Sequence, residues 1–152
     1  SLVPLFLALD ARLRVHGRPE PLGAAAWLAA PEGILTYVEL PSAPGLRSAS
    51  RRWSRTACDL SVLTCATSYR VKDGALVGVR IACGGGDSKS RRFPELERLF
   101  EGKPLPERDA AAEAIKPLLR PLDDLRGGAA FKRARASDLI AETLLAARED
   151  AL

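Results

Sequence analysis

The sequence has very few of the residues that form catalytic or metal centres. Histidine occurs once, as His16, and cysteine three times, as Cys58, Cys65 and Cys83. A single histidine argues against a Ser-His-Asp or Cys-His centre, which needs an imidazole as its base. The cysteines are odd in number and form no CxxC pair, which argues against zinc or iron–sulfur ligation by this chain. Cys65 and Cys83 lie in β-prone runs, where a buried reduced thiol acts as a small hydrophobe.

Long apolar runs are also absent. No run approaches the ~20 residues needed to cross a bilayer, and the short apolar opening, residues 2–9, lacks the basic flank and cleavage site of a signal peptide. Methionine is missing, so Ser1 is either exposed by methionine removal or an internal residue of a longer protein. These absences predict a soluble, cytoplasmic protein without membrane contact.

The composition is that of a folded protein. Of the 152 residues, 47% are hydrophobic and 28% are charged, which argues against the disordered class. This length holds one ordinary domain, or one small domain with a piece of another. The net charge of +4, with both signs well mixed, is only a weak indication of an anionic ligand.

Residues 47–86 contain the clearest structural pattern. Two β-prone runs, 60–71 and 76–83, are joined by a loop that contains Asp73-Gly74, and the second run ends in three glycines. Two such runs around Asp-Gly predict an antiparallel hairpin. Because side chains alternate along a strand, one face of the second run is expected to hold Val77, Val79, Ile81 and Cys83.

Weaker patterns flank this hairpin. Before it, residues 11–15 and 34–40 have strand character, and the proline-rich residues 41–45 mark the best domain boundary. After it come two short helices and a long amphipathic helix over 128–150, so that a sheet is followed by helices in an α+β arrangement. The apolar face of the long helix is predicted to hold Ala136, Leu139, Ile140, Thr143, Leu144 and Ala147.

An arginine cluster before the hairpin is the first candidate site. It comprises Arg47, Arg51, Arg52 and Arg55, with Trp53 among them. Arginines can bind phosphate through bidentate hydrogen bonds, and beside an aromatic ring they can contact nucleic acid. A solvated basic strand edge, which discourages sheet-to-sheet pairing, explains the same cluster and is favoured.

Two further candidates are the glycines at 84–86 and the acidic pair Asp123-Asp124. The glycines follow a strand, as nucleotide-binding loops do, but match neither GxGxxG nor GxxxxGK[ST], so a plain loop is favoured. The acidic pair could support acid–base chemistry or hold a metal. Capping of the last helix together with local ion pairing is the favoured explanation.

Taken together, the segments resemble a known family, the flavoprotein component of the molybdenum hydroxylases, which includes xanthine dehydrogenase, aldehyde oxidase and carbon monoxide dehydrogenase. The similarity runs in order through ILTYVELP, SASRRWSRTACDLSV, the hairpin, ACGGG and PLDDLRGGAAFKRARASDLI. Family motifs correspond to residues 38–41, 47–52, 59–62, 84–85 and 124–132. No single motif is specific, but the ordered set is, and it spans nearly the whole chain.

The resemblance implies both a fold and a function. Residues 46–152 would form a C-terminal domain with a three-stranded antiparallel sheet covered by about three helices, and 1–45 would be the tail of an α+β FAD-binding subdomain. The chain would then be the C-terminal part of the FAD-binding medium subunit of an oxidoreductase. That subunit passes electrons from iron–sulfur clusters through FAD to an acceptor such as NAD+. Its implied partners are a molybdopterin-binding large subunit and an iron–sulfur small subunit, with no nucleic acid.

The resemblance also implies two cofactor-binding residues and no catalytic residue. Leu35 falls where the family places an aliphatic side chain against the flavin, and Arg47 falls where xanthine dehydrogenases commonly have a flavin-side lysine. Ser1 falls where many members have an aspartate that contacts FAD. The glycine-rich loops that hold the FAD pyrophosphate lie upstream in the family. This chain alone is therefore expected to bind FAD weakly or not at all.

Two alternatives stay open at this point. One is a non-catalytic docking or assembly module that keeps the fold and has lost flavin binding. The other is a nucleic-acid-binding domain that uses the arginine cluster, and it predicts an affinity that falls steeply with salt.

Overall fold

A computed structural model describes residues 2–149, which form two antiparallel sheets and five α-helices. Ser1 and the end of the predicted last helix, Asp150, lie outside the described residues. No helix in this part of the chain is both long and apolar enough to cross a membrane. The strands are β1 (Arg12–Val15), β2 (Leu22–Gly23), β3 (Leu35–Glu39), β4 (Arg47–Trp53), β5 (Leu63–Lys72), β6 (Ala75–Gly84) and β7 (Arg91–Arg92). The helices are α1 (Val3–Ala8), α2 (Ala24–Ala29), α3 (Pro94–Phe100), α4 (Arg108–Ile115) and α5 (Ala129–Glu149), and a 3-10 turn covers Lys116–Leu118.

The larger sheet has the order β4-β5-β6-β7, in which three long antiparallel strands are followed by the two-residue β7. Its centre is the predicted hairpin. Lys72 pairs with Ala75, and the two residues between them, Asp73 and Gly74, have φ angles of 51° and 79°. Positive φ at both central residues is the geometry that Asp-Gly favours in a two-residue hairpin turn. The predicted α+β class is therefore confirmed.

The main core lies between this sheet and α5. All six residues predicted on the apolar face of α5 are buried, and three large ones, Leu139, Ile140 and Leu144, are at most 2% exposed. Full burial of each such side chain contributes about 1.5–3 kcal/mol. The hydroxyl of Tyr69 on β5 donates a 2.7 Å hydrogen bond to the Leu144 carbonyl, which joins sheet and helix directly. Helices α3 and α4 complete this core, so about three helices cover the sheet as expected.

The opposite face of the larger sheet is covered by α1. Ala66 on β5 and Ala82 on β6 form a small-residue surface there, which lets Leu7 and Ala8 of α1 approach closely. The hydroxyl of Ser68 donates a 2.6 Å hydrogen bond to the Ala8 carbonyl. Sequence periodicity identified the helices after the sheet but did not predict that this early helix packs on its other side.

A β-bulge in β6 overturns one part of the predicted hairpin. The register shifts between Ser68 and Arg70 of β5, and Gly78 opposite them has a φ of 66°. The bulge reverses the alternation of side chains, so Val77 is partly exposed while Leu76 and Val79 are buried. The prediction that Val77 shares one face with Val79, Ile81 and Cys83 was therefore wrong for Val77. It was right for Val79, Ile81 and Cys83.

The smaller sheet has the order β2-β1-β3. Within the described residues β3 pairs with β1 alone, so its other edge is open. Every residue of β3 is exposed, and apolar side chains at Ile34, Tyr37 and Leu40 face solvent on or beside it. An open strand with exposed apolar side chains is a ready surface for further chain to pair with.

Candidate functional site

Three segments that are distant in sequence meet around a cavity of about 400 Å³, the largest of the three cavities described within residues 2–149. The first leads into the hairpin, the second is the glycine loop that follows it, and the third precedes α5. The cavity is lined by residues 60–62, 84–85, 87–90 and 122–124, with Thr64, Arg126 and Lys132. Each segment contains one of the motifs on which the family resemblance rests.

The glycine loop is shaped by its packing against the start of the hairpin. Gly85 has a φ of 87°, and a Cβ added to it would lie 2.2 Å from the Val62 carbonyl oxygen. A Cβ on Gly84 would lie 2.6 Å from the Ser90 hydroxyl oxygen. Gly85 therefore requires glycine, because its φ is positive and the clash is with backbone, whereas the nearest neighbour of Gly84 is a side-chain hydroxyl. Gly84 ends β6 and Gly85 lies in the loop that follows it, so the prediction of a plain loop applies from Gly85 onward.

Lys132, on the first turn of α5, is a buried cation at the edge of the cavity. Its side chain is 3% exposed, and its ammonium lies 2.6 Å from the Asp124 carboxylate and donates a 2.9 Å bond to the Leu122 carbonyl. The hydrogen bond from Lys132, with a second from the Arg126 amide, holds the pKa of Asp124 below its usual value. Lys132 thus fixes the segment before α5 to the helix.

The neighbouring Asp123 caps α5. One of its carboxylate oxygens accepts a 2.5 Å hydrogen bond from the Ala129 amide, the first residue of the helix. A carboxylate at a helix N-terminus satisfies a free amide and interacts favourably with the helix dipole. Capping by Asp123 and ion pairing by Asp124 confirm the favoured explanation for this acidic pair. The pairing of Asp124 with Lys132 was not predicted from the sequence, although their spacing of eight residues within the motif was the available signal.

On the other side of the cavity Asp87 is held by Arg91. The guanidinium donates a 2.7 Å bond to Asp87 and a 2.8 Å bond to Glu95, and it lies 3.9 Å above the Phe93 ring. Burial alone would raise the pKa of Asp87, but the hydrogen bonds from Arg91 and the Ser88 amide outweigh it and lower the pKa. Asp87 and Asp124, whose pKa values are lowered, thus lie beside cations, and both carboxylates are engaged in structural contacts.

The two residues expected to bind the cofactor line smaller cavities. Leu35, at the start of β3, borders an apolar cavity of about 90 Å³ with Phe6 and Trp27. Arg47, at the start of β4, borders a separate cavity of about 180 Å³ with Tyr69 and others. The structure does not bring Leu35 and Arg47 to one cavity, and neither lines the largest one. Among residues 2–149 the guanidinium of Arg47 has no hydrogen-bond or ion-pair partner.

The other arginines of the cluster form hydrogen bonds with residues close to them in sequence. The guanidinium of Arg52 donates a 2.7 Å bond to the Ala57 carbonyl, and that of Arg55 a 3.1 Å bond to Asp59. Trp53 contacts Phe131, with ring centroids 5.1 Å apart. These residues lie on β4, at the edge of the larger sheet, or just after it. The favoured explanation, a basic strand edge, fits this arrangement.

A metal centre is not formed by the residues described. Over 2–149 no group of three or more His, Cys, Asp or Glu side chains is placed to hold a metal ion.

Comparison with known proteins identifies the family to which these motifs belong. Residues 48–147 match the family described as the CO dehydrogenase flavoprotein C-terminal domain. The chain belongs to this family. The resemblance to the C-terminal part of the FAD-binding subunit of molybdenum hydroxylases is thereby confirmed. The matched residues include all three motif segments around the largest cavity.

Individual relatives agree with this assignment. The chain is 35% identical over 143 residues to the uncharacterized protein YgfM of Escherichia coli (strain K12), covering 93% of this chain and 51% of that protein. It is 34% identical over 122 residues to the nicotine 6-hydroxylase medium subunit of Paenarthrobacter nicotinovorans, covering 79% of this chain and 42% of that subunit. The chain thus spans about half the length of the curated relatives it matches.

The fold also recurs in a solved structure. Carbon monoxide dehydrogenase from Hydrogenophaga pseudoflava, in a form that lacks the Mo-pyranopterin moiety of its molybdenum cofactor, superposes with a TM-score of 0.83. The match covers 98% of this chain and 56% of that one, at 23% sequence identity. This similarity establishes that the two proteins share a fold.

Proposed function

We propose that this chain contributes the C-terminal part of a flavin-binding subunit in a molybdenum hydroxylase. In this assembly electrons pass from iron–sulfur clusters through FAD to an acceptor such as NAD+. The observation that carries the proposal is the family match over residues 48–147. The partners would be a molybdopterin-binding large subunit and an iron–sulfur small subunit, in keeping with a relative that is itself a medium subunit.

This proposal divides the chain into two structural parts. Residues 1–45 would be the end of a FAD-binding subdomain, and 46–152 the C-terminal domain. The open edge of β3 supports the first part, because its exposed apolar side chains suit pairing with more of the same subdomain. The matched relatives are about twice as long as this chain and have room for the rest of such a subdomain.

Two residues would shape the flavin site. Arg47 suits contact with the cofactor because its guanidinium is unpaired within the described chain and can offer a positive charge to an anionic or electron-rich group. Leu35 suits an apolar contact because it borders a recess lined by aliphatic and aromatic side chains. FAD supplies the redox chemistry when bound, and these side chains would position it, tune its electrostatics and exclude water.

The glycine loop at 84–86 matches no pyrophosphate-binding motif. A Cβ on Gly84 or Gly85 would meet Ser90 or Val62, so packing within the protein accounts for glycine at both positions. The sites that hold most of FAD would therefore lie on another part of the subunit. This chain would complete the pocket without forming it alone.

The test of Arg47 uses the assembly isolated from its native host through a tag on this chain. We expect Arg47→Gln to lower the FAD retained per assembly at least several-fold during washing at moderate salt. Arg51→Gln is the matched control on the same strand, since among residues 2–149 the Arg51 guanidinium donates a hydrogen bond only to the adjacent Ser50 carbonyl, and it should retain FAD as the unmodified protein does. Equal retention by both variants would contradict the role of Arg47.

A docking or assembly module without flavin is the second candidate, and an exposed apolar surface favours it. Leu60 and Leu125, near the largest cavity, are 73% and 100% exposed, and Leu122 and Phe131 are also exposed. Apolar residues grouped at one surface are typical of protein interaction sites. An assembly that contains this chain and the large and small subunits but no FAD would support this module over the flavoprotein.

A further inference from the structure

Cys65 and Cys83 face each other across the β5–β6 hairpin. They are direct partners in the strand register, their sulfur atoms lie 2.9 Å apart, and both side chains are completely buried. Both are free thiols. A separation of 2.9 Å is shorter than ordinary contact between two sulfur atoms, while a disulfide bond measures about 2.05 Å. The two thiols are therefore held in a position close to that of a bonded pair.

We propose that Cys65 and Cys83 are a redox-active dithiol that closes to a cross-strand disulfide when a hydroperoxide oxidises the protein. Directly opposed residues of an antiparallel pair have Cα atoms about 4.5 or 5.5 Å apart. Both separations lie within the range of about 4.4–6.8 Å that disulfides require. Closing the bond therefore needs rotation of side chains and little movement of the strands.

The hydroperoxide is the oxidant that converts the two thiols to a disulfide. One thiolate attacks a peroxide oxygen, the O–O bond breaks, and that cysteine becomes a sulfenic acid. The second thiol attacks this sulfur, the S–S bond forms, and water leaves. With hydrogen peroxide, two thiols and one peroxide give one disulfide and two waters, and two electrons pass from sulfur to oxygen.

Position and burial give the pair two properties. Burial raises the pKa of the Cys65 thiol, and the hydrogen bond with Cys83 raises it further, so the reactive thiolate is scarce in the folded protein. Cys83 is followed directly by Gly84 and Gly85 of the largest cavity, and Cys65 is preceded by Thr64 of the same lining. Closing the disulfide thus ties together two strands that border this cavity.

The test measures thiols in the chain with Cys58→Ser, which removes the exposed cysteine and leaves only the buried pair. The folded protein is treated with hydrogen peroxide, then unfolded and alkylated, and its intact mass is determined. We expect a loss of two hydrogens, no alkylated cysteine, and a peptide that links Cys65 to Cys83 after digestion. Dithiothreitol should restore both thiols.

Two outcomes would overturn the proposal. One is full alkylation of both cysteines after peroxide treatment of the folded protein. The other is conversion to sulfinic or sulfonic acid without a linked peptide. Cys58→Ser combined with Cys83→Ala is the matched control, because a single remaining Cys65 cannot form the internal bond and should gain oxygen or stay unmodified. If this control does not fold, the linked peptide in Cys58→Ser alone still decides the question.

Discussion

Gly85 is the residue on which the shape of the largest cavity depends most directly. Its backbone has a φ of 87° and lies against the Val62 carbonyl, with no room for a side chain. Gly85→Ala combines the strain of a positive φ with a steric clash, so we expect a loss of about 3 kcal/mol in the free energy of unfolding. Urea denaturation measures it.

Gly17→Ala is the matched control for that prediction. Gly17 also has a positive φ, 76°, but no atom lies within 4 Å of the Cβ it would acquire. It should therefore cost only the backbone strain, about 1 kcal/mol. Equal losses for the two variants would show that the contact with Val62 does not constrain the loop.

The Asp87 carboxylate contributes stability to the fold that is lost at acid pH. Hydrogen bonds from Arg91 and the Ser88 amide outweigh burial and keep its pKa in the folded state below the unfolded value. The unfolded chain therefore takes up the proton first as pH falls. The stabilisation is complete above the unfolded pKa, near pH 4, and is lost as pH falls through the lower folded value.

We accordingly expect the urea midpoint to stay level from about pH 7 to pH 5 and to fall below about pH 4. Asp87→Asn should make this acid fall shallower, because one of the carboxylates responsible is gone. Asp109→Asn is the control, since the side chain of Asp109 is 91% exposed and pairs only with its neighbour Arg108. An acid fall that is unchanged in Asp87→Asn would contradict the role given to this carboxylate.

At the scale of elements, the bulge in β6 is stabilised by a side chain rather than by a strand. The two carboxylate oxygens of Glu101, just after α3, accept 2.8 Å hydrogen bonds from the amides of Gly78 and Val79. These amides sit beyond the short β7, which pairs only with Ala82 and Cys83. Glu101 therefore takes the place of a neighbouring strand along this part of the edge.

Glu101→Ala should destabilise the fold by about 1–2 kcal/mol, because two backbone amides lose their acceptors. Glu101→Gln keeps one oxygen acceptor and should lose about half as much. Glu113→Ala is the surface control, and it should change stability by less than about 0.5 kcal/mol, since the Glu113 side chain is 77% exposed. A loss for Glu101→Ala as small as that for Glu113→Ala would show that the edge amides are satisfied by water.

The elements that were predictable from sequence are those with strong local signals. Asp73-Gly74 between two β-prone runs was sufficient for the hairpin, and 3.6-residue periodicity was sufficient for the buried face of α5. Val77 was misplaced because the bulge at Gly78 shifts the alternation of side chains, and the Glu101 carboxylate that binds the bulge amides lies outside the strand. The side of the sheet that α1 covers depends on tertiary packing against Ala66 and Ala82, which no local pattern encodes.

The motifs of the candidate site were predictable from the sequence, but their convergence on one cavity was not. The motifs were each visible, and the cap formed by Asp123 follows from helix-start chemistry. Their convergence on one cavity depends on the sheet bringing residue 62 to residue 85 and on α5 returning to the same edge. The burial of Lys132 against Asp124 is a consequence of that convergence.

At the scale of the whole molecule, the chain is expected to be an incomplete flavin site. It spans about half of its matched relatives, and its own glycine loop is packed against the protein. Titration of FAD with residues 1–152 alone, followed by flavin fluorescence, should therefore show no saturable stoichiometric binding. A tight complex with one FAD per chain would show that the pocket is complete without further sequence.

The most direct test of the proposed function is the cofactor content of the native assembly. The chain is tagged in its host, the assembly is isolated, and FAD, iron and molybdenum are quantified per copy of the chain. Our account predicts about one FAD per copy, together with iron and molybdenum from partner subunits. An assembly isolated intact with iron and molybdenum but without FAD would contradict it.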